Sequence, residues 1–262
     1  MARARKRHVQ TKMFEADGSP ARQIFRKDGK RDCRKGNSGR KPKGKRAGSA
    51  HKTRPSLRGN TAIHVVLRVV PALGSLRRRF MYRAIREATI CVAMRELNDR
   101  VDGTFRIVHI SIQRTHVHLI VEADHKRALS RGMQGFQISA AKHLNRELSR
   151  DLPERRRGTV FPDRYHAELI TTPKQARHTL SYVLNNWRKH GDDTGRSWKV
   201  DPFSTAPVFL GWSYFDDREE LWRLPDTYQQ LVVYFPKTWL LTKGWRKHGG
   251  LELDEVPGAP NR

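Results

Sequence analysis

The sequence has few cysteines, no long apolar run and little acidic charge for its size. Its two cysteines, Cys33 and Cys91, are spaced for neither a disulfide framework nor a zinc site, which indicates a reducing, cytoplasmic setting. No run of about 18 apolar residues occurs, and the basic N-terminus is not followed by the apolar segment of a signal peptide. We therefore expect a soluble protein of a bacterial-type cytosol or nucleoid.

The shortage of acidic residues leaves a large positive charge. Lys and Arg number 53 against 26 Asp and Glu, a formal net charge of +27. Residues 1–60 alone hold 20 Lys and Arg against 4 Asp and Glu, with Phe14 and Phe25 as their only aromatics. Such a segment cannot bury enough apolar surface to offset the entropy of ordering, so it is predicted to be a disordered basic arm. The charge favours a polyanionic partner, with solubility or a ribosome-like tail as the alternative.

Apolar periodicity after residue 60 predicts the element order β, α, β, β, α, β, α. Strands are expected at 63–70, and at 105–113 and 115–123 as a hairpin with Arg114 at or near its turn. A fourth strand is expected in VFPDRYHAELITT, with Leu169 and Ile170 near its end. Helices are expected at 75–100 with Ser75 as cap, at 126–149, and at 173–190 between the cap Thr172 and the stop Gly191. This is the split βαβ pattern, an α+β ferredoxin-like sandwich with one antiparallel sheet and helices on one face.

The composition changes again near the C-terminus. All six tryptophans lie between Trp187 and Trp245. Residues 192–262 are therefore predicted to be an appended, partly folded extension of a core domain at residues 61–191. The pentapeptide WRKHG occurs at both Trp187 and Trp245, and we interpret it as a shared helix-ending sequence.

Two histidines interrupt the apolar strand RTHVHLIVEA, residues 114–123. Because side chains alternate along a strand, His116 and His118 point to the same side, with roughly 6 to 7 Å between their α-carbons. A divalent metal could bridge such a pair. The alternative is a structural histidine pair near a sheet end.

The helix predicted at 173–190 places further polar groups beside this strand. Its apolar stripe is Ala176, Leu180, Val183 and Trp187. Tyr182 and Asn186 lie one turn apart on a flank of the stripe. If the helix packs beside the histidine strand, two imidazoles and an amide oxygen could hold a cation next to the phenol. A mixed nitrogen and oxygen set without thiolate suits Mg²⁺ or Mn²⁺, and a phenol with a pKa of about 10 needs such activation to act as a nucleophile.

Four segments together resemble a known family. THVHLIVEA, GMQGFQISAAKHLNR, GTVFPDRYHAELITTPKQARHTLSYVLNN and DPFSTAPVF are similar to the single-tyrosine HUH transposases of the insertion-sequence-200-like type, and among them to the REP-associated tyrosine transposases. The resemblance covers residues 63–209. It implies the HUH endonuclease fold, His116, His118 and Asn186 as ligands of Mg²⁺ or Mn²⁺, and attack on single-stranded or hairpin DNA by Tyr182. The product would be a 5′-phosphotyrosine and a free 3′-OH.

The chain departs from the family at one position, and two neighbouring residues offer rival roles. Trp187 stands where the branch often has proline, so we expect the helix to continue beyond Asn186. Tyr165 is a rival nucleophile, but no ligand-type residue accompanies it. His166 is open to two interpretations, a contact with DNA or the site edge, and a structural hydrogen bond.

Several residues are candidates for direct contacts with DNA. Arg164, Arg177, Arg188 and Lys189 are candidate contacts to backbone phosphates, with a solvated basic face as the alternative. Three tryptophans, Trp198, Trp212 and Trp245, are suited to stacking on splayed bases or to packing the extension onto the core.

The sequence thus predicts a metal-dependent single-stranded DNA endonuclease and strand transferase of the transposase type. An alternative is a non-catalytic, domesticated DNA-binding regulator, which the same fold and basic arm would serve. An RNA-binding protein is a third interpretation, but histidines stand where an RNA-binding sheet would carry stacking rings. The DNA element remains open, as does the choice between a monomer and a homodimer with exchanged helices.

Overall fold

A computed structural model describes residue 57 and residues 59–98, 104–213 and 228–258. Almost all of the predicted basic arm, residues 1–60, lies outside the described residues. So do residues 214–227 of the predicted extension. Within the described ranges, no helix is both long enough and apolar enough to cross a membrane.

One four-stranded antiparallel sheet forms the centre of the fold. Its strands are β1 (Thr61–Arg68), β2 (Phe105–Ile112), β3 (His116–Ala123) and β4 (His166–Leu169), in the spatial order β2-β3-β1-β4. The predicted hairpin between β2 and β3 is confirmed, since the backbone N–H of Gln113 donates to the carbonyl of His116 at 2.9 Å. The α+β class and the antiparallel sheet are as the sequence predicts, and β3 lies in the middle of the sheet.

Helices cover both faces of the sheet, which corrects the expectation that they share one face. Helices α1 (Arg79–Asn98) and α2 (Lys126–Leu148) pack with the inward residues of the strands, such as Ile63 and Leu119, into one core. Helix α3 (Pro173–Leu184) packs on the opposite face against Ala62, Val108 and Ile120. Every residue of β2 is buried. A strand that is buried on both faces needs cover on both faces.

Helix α3 begins as predicted but ends earlier. The Thr172 hydroxyl accepts from the backbone N–H of Gln175 at 3.1 Å, and Pro173 occupies the first turn. The helix stops at Leu184, and not near His190, because Asn185 leaves helical geometry and its side-chain amide donates to the carbonyl of Glu252. A separate short helix, α4 (Asn186–Lys189), follows it.

Helix α1 also differs from its predicted start. It begins at Arg79, four residues after the expected cap Ser75. The Ser75 hydroxyl instead accepts from the backbone N–H of Arg77, whose guanidinium forms a bidentate pair with buried Asp201 at 2.8 and 2.9 Å. This long-range ion pair takes Arg77 out of the helix.

The described part of the C-terminal extension packs on the core. Its backbone pairs with the edge strand β2, where the N–H of Ile112 donates to the carbonyl of Phe203 at 2.8 Å. Short helical turns follow at Ala206–Val208, at Trp239–Thr242 (α5) and at Gly244–His248. Trp212 and Trp245 are buried in the core that also contains α3. Both copies of WRKHG end a short helix at a glycine with positive φ, in agreement with the helix-ending interpretation.

Candidate active site

Three histidines lie together on the sheet face covered by α3. His116 and His118 point to this face from β3, as the strand alternation predicts, and their ring centroids are 4.7 Å apart. His64 joins them from the neighbouring strand β1, with its ring stacked on that of His118 at 5.3 Å. His118 is only 3% exposed. The pair therefore lies on an interior strand of the sheet, with His116 at the first position of β3 and His118 buried two residues further along.

In His116 and His118, Nδ1 is engaged in a polar contact and Nε2 is left available. Nδ1 of His116 lies 3.2 Å from the hydroxyl oxygen of Thr115, and Nδ1 of His118 lies 3.1 Å from Nε2 of His64. Nε2 of His118 is buried and has no hydrogen-bond partner among the described residues. A buried polar atom without a partner calls for an explanation, and a bound ion is one.

The electrostatics of the site keep the imidazoles uncharged. Burial, with His64 as the next contributor, lowers the pKa of His118 to about 2. Burial, with His190 as the next contributor, lowers the pKa of His116 to about 4. Neutral imidazoles have a lone pair to offer, and this is the form in which histidine binds a metal.

Tyr182 extends from α3 over the histidines. Its ring centroid lies 5.1 Å from that of His118 and 5.9 Å from that of His64, both in edge-on geometry. The side chain is half-buried and lines a cleft of about 1040 Å³ together with Lys174, Arg177 and His178. Burial raises the pKa of the Tyr182 phenol, so the hydroxyl keeps its proton at neutral pH. The structure thus brings the predicted nucleophile to the predicted metal-binding pair.

Asn186 stands at the first position of α4, fully buried. Neither its amide oxygen nor its amide nitrogen has a hydrogen-bond partner among the described residues. Two later residues of this turn reach the site: the His190 ring lies 5.9 Å from that of His116, and Nζ of Lys189 lies 5.2 Å from the Tyr182 ring centroid. The turn that carries Asn186 therefore packs against the site.

The candidate ligands can form a divalent-cation site only if the Asn186 side chain contributes its amide oxygen. Within the described residues, no group of three or more His, Cys, Asp or Glu side chains could hold a metal ion. Two imidazoles with free nitrogens and an unpaired amide oxygen nevertheless supply a mixed set without thiolate, of the kind that suits Mg²⁺ or Mn²⁺. The orphaned atoms of His118 and Asn186 agree with such a site.

Sequence reasoning missed His64 and His190. His64 lies diagonally across from His118, because β1 and β3 pair Val66 with His118 in antiparallel register. The alternation of β1 places His64 on the same face, but only knowledge of the register brings it to His118. The packing of the turn after α3 determines the position of His190, and no periodicity in the sequence indicates it.

The rival residues are placed elsewhere. Tyr165 is buried in the core formed with α1 and α2, on the opposite side of the sheet from Tyr182. His166 is exposed at the start of the edge strand β4 and pairs with Val66. Neither residue lines the cleft that contains Tyr182.

The four candidate phosphate contacts divide into two kinds. Arg177 is held by Glu255 at 2.5 and 2.9 Å, and Arg188 donates to Asp193 at 2.9 Å and to the carbonyl of Leu253. These two side chains fasten the C-terminal segment to α3 and α4. Arg164 and Lys189 are exposed. The exposed pair is better placed to meet a phosphate.

The three candidate stacking tryptophans also differ in accessibility. Trp212 and Trp245 are 4% and 2% exposed, which identifies them as packing residues. Trp198 is partly exposed and lines a smaller cleft of about 380 Å³ with Arg79 and Arg83. Of the three, only Trp198 presents a ring to the surface.

Comparison with known proteins gave a match to a family model and a similar solved structure. Residues 60–186 match the family model described as "Transposase IS200 like". A solved structure of a REP-associated tyrosine transposase bound to a REP hairpin is similar at 18% identity and a TM-score of 0.43, over 60% of this chain and 82% of that one. A comparison with curated proteins gave no significant match.

Proposed function

We propose that this protein is a divalent-metal-dependent endonuclease and strand transferase that acts on single-stranded DNA. The match of residues 60–186 to the IS200-like transposase model supports the proposal. The observation that carries the proposal is the edge-on contact of Tyr182 with His118, 5.1 Å between ring centroids. Within the single chain this contact brings the Tyr182 phenol beside the histidines, which supports a site formed without a helix exchanged from a second copy.

His116, His118 and Asn186 would hold the cation. The family in general uses a divalent metal. In our proposal His118 binds through its partnerless Nε2, His116 through the Nε2 opposite its Thr115 contact, and Asn186 through its unpaired amide oxygen. When bound, Mg²⁺ or Mn²⁺ would polarise the scissile phosphate and stabilise the charge that develops on it.

Tyr182 would carry out the first step. Its phenol oxygen attacks the phosphorus, an oxygen–phosphorus bond forms, and the bond from phosphorus to the 3′-oxygen breaks. The phenol proton ends on the departing 3′-oxygen. The 5′-phosphate is then joined to Tyr182, and the other fragment leaves with a free 3′-OH.

The same residue would take part in strand transfer. The 3′-hydroxyl of a second strand attacks the phosphotyrosine, its oxygen–phosphorus bond forms, and the bond to the Tyr182 oxygen breaks. The hydroxyl proton returns to the phenol. The energy of the original phosphodiester is retained in the covalent intermediate, so joining needs no external cofactor.

Electrostatics favour a nucleic acid as the partner. The formal charge of +27 provides attraction to phosphates, and exposed Arg164 and Lys189 lie on the segments that flank α3 and its site. We extend the proposal to single-stranded DNA that contains a hairpin, since the similar REP-associated protein is bound to a REP hairpin, and to action in the cytoplasm.

A doubly labelled oligonucleotide tests the proposal. The substrate is a hairpin flanked by randomised single strands, with different dyes at its 5′ and 3′ ends, incubated with the full chain and Mn²⁺. We expect the 3′ dye to migrate with the protein in a denaturing gel and the 5′ dye to be released on a fragment with a 3′-OH. Label on the protein from the 5′ end would contradict the proposed polarity. Binding without any cleavage would favour the non-catalytic regulator.

A further inference from the structure

His64 makes a close contact with the nitrogen of His118 that faces away from the cation site. Its Nε2 lies 3.1 Å from Nδ1 of His118, and the two rings are nearly parallel, 16° apart. The contact joins adjacent strands, with His64 on β1 and His118 on β3. His118 is buried and His64 is partly buried.

In a hydrogen bond between two neutral imidazoles, one ring donates its N–H and the other ring accepts with its lone pair. A neutral ring has one N–H and one lone pair, so the contact has two arrangements. If His64 donates, Nδ1 of His118 accepts and the proton of His118 lies on Nε2. If His118 donates, its Nε2 keeps a lone pair. The direction of this one hydrogen bond decides whether His118 can bind a cation through Nε2.

The surroundings of Nε2 favour the second arrangement. This atom is buried and has no acceptor among the described residues. A proton there would be a buried donor without a partner, which disfavours the first arrangement. A lone pair there is instead the ligand that a cation site requires. Metal-bound histidines in general donate their other N–H to a neighbouring acceptor, which fixes the tautomer and the ring orientation.

We infer that His64 is a positioning residue: its Nε2 accepts the Nδ1–H of His118 and thereby holds the Nε2 lone pair of His118 toward the cation. The inference rests on the proposed function for the cation and goes beyond it in assigning a role to β1. The function of His64 is to accept a hydrogen bond, so a glutamine amide oxygen can replace it in part. A phenylalanine fills the same space but accepts nothing.

The test compares His64→Phe with His64→Gln in the full chain. Mn²⁺ affinity is measured by electron paramagnetic resonance without DNA, and folding is checked by circular dichroism. We expect Mn²⁺ to bind roughly 10- to 100-fold more weakly to His64→Phe, the usual cost of losing such a partner, and within a few fold of wild type to His64→Gln. His109→Gln is the matched control, because His109 is a buried histidine on β2 bonded to Thr205 and not to the site. Wild-type affinity in a folded His64→Phe variant would overturn the inference.

A second measurement separates this inference from the proposed function. Nitrogen-15 NMR of the metal-free wild-type chain reports which imidazole nitrogen of His118 carries the proton. We expect the proton on Nδ1 in wild type and a loss of that preference in His64→Phe. A proton on Nε2 in wild type would overturn the role of His64 even if the metal binds. Absence of Mn²⁺ binding in wild type, with the proton on Nδ1, would contradict only the proposed metal site.

Discussion

The phenol ring of Tyr182 lies edge-on to the imidazole of His118, with 5.1 Å between the ring centroids, inside one chain. The contact depends on α3 packing on the sheet face opposite α1 and α2, where β3 presents its histidines. Because α3 packs on the sheet of its own chain, Tyr182 and the histidines of β3 meet without a second chain. We therefore expect a single chain to form the covalent intermediate.

Removal of the Tyr182 hydroxyl should abolish covalent DNA adducts without abolishing binding. Tyr182→Phe keeps the ring that packs against His118 and loses only the nucleophile. Tyr165→Phe is the matched control, since Tyr165 lies in the core on the other side of the sheet. Adduct formation is measured in denaturing gels and binding by fluorescence anisotropy. Adducts that persist in Tyr182→Phe and vanish in Tyr165→Phe would identify Tyr165, and not Tyr182, as the nucleophile.

Loss of the Asn186 amide should weaken metal binding but not the fold. This buried amide has no hydrogen-bond partner among the described residues, so its removal relieves a desolvation cost. We expect Asn186→Ala to bind Mn²⁺ at least tenfold more weakly, while its metal-free melting temperature stays equal to wild type or rises. Asn185→Ala is the contrast, because that amide donates to the carbonyl of Glu252 at 3.0 Å. It should lower the melting temperature and retain Mn²⁺. The reverse pattern would remove Asn186 from the ligand set.

A buried carboxylate should anchor the C-terminal segment. Glu122 on β3 accepts from the backbone N–H groups of Lys237 and Thr238 at 2.9 and 2.7 Å, and pairs with Arg106 at 3.1 Å. Glu122→Gln breaks a buried ion pair, and we expect a loss of about 3 to 5 kcal/mol in the free energy of unfolding. Exposed Glu154→Gln should change it by less than about 0.5 kcal/mol. Chemical denaturation measures both.

Hydrogen exchange locates the effect of Glu122. The amides of Lys237 and Thr238 should lose protection in Glu122→Gln more than amides in α2 do. Equal loss everywhere would mean that the carboxylate stabilises the sheet and does not anchor the segment.

The free energy of unfolding should depend on pH through the protonation of His109. Burial lowers the pKa of His109 to about 4 from an ordinary value near 6.5. Between these values the unfolded chain binds the proton more readily, so the stabilising contribution is complete above pH 6.5 and is lost as the pH falls toward 4. We expect this residue to account for a loss of about 2 kcal/mol between pH 6.5 and 5. Urea denaturation of His109→Gln should show a shallower pH dependence than wild type. Identical slopes would contradict the assignment.

Local sequence signals predicted the parts of the site that lie within one element. The alternation of β3 placed His116 and His118 on one face, and the 3.6-residue repeat of α3 placed Tyr182 on a flank of its apolar stripe. The predicted one-turn spacing of Tyr182 and Asn186 within a single helix was wrong, because α3 ends at Leu184 and Asn186 begins α4. The Thr172 cap and Pro173 set where α3 begins. These features depend on neighbours in the chain, so a single sequence contains them.

The features that were missed depend on contacts between distant segments. His64 reaches His118 only through the β1–β3 register, and α3 ends at Leu184 because Asn185 bonds to Glu252, 67 residues away. The use of the second sheet face was missed for the same reason, since the covering core includes Trp245 and Leu251 from the end of the chain. No local pattern encodes such pairings.

Identification of the peptide joined to DNA tests the central claim most directly. The full chain is incubated with Mg²⁺ or Mn²⁺ and the randomised hairpin substrate, digested with trypsin and nuclease, and analysed by mass spectrometry. We predict a nucleotide 5′-phosphate on Tyr182, in the peptide between Arg177 and Arg188. A nucleotide on Tyr165, or on any residue outside that peptide, would contradict the account.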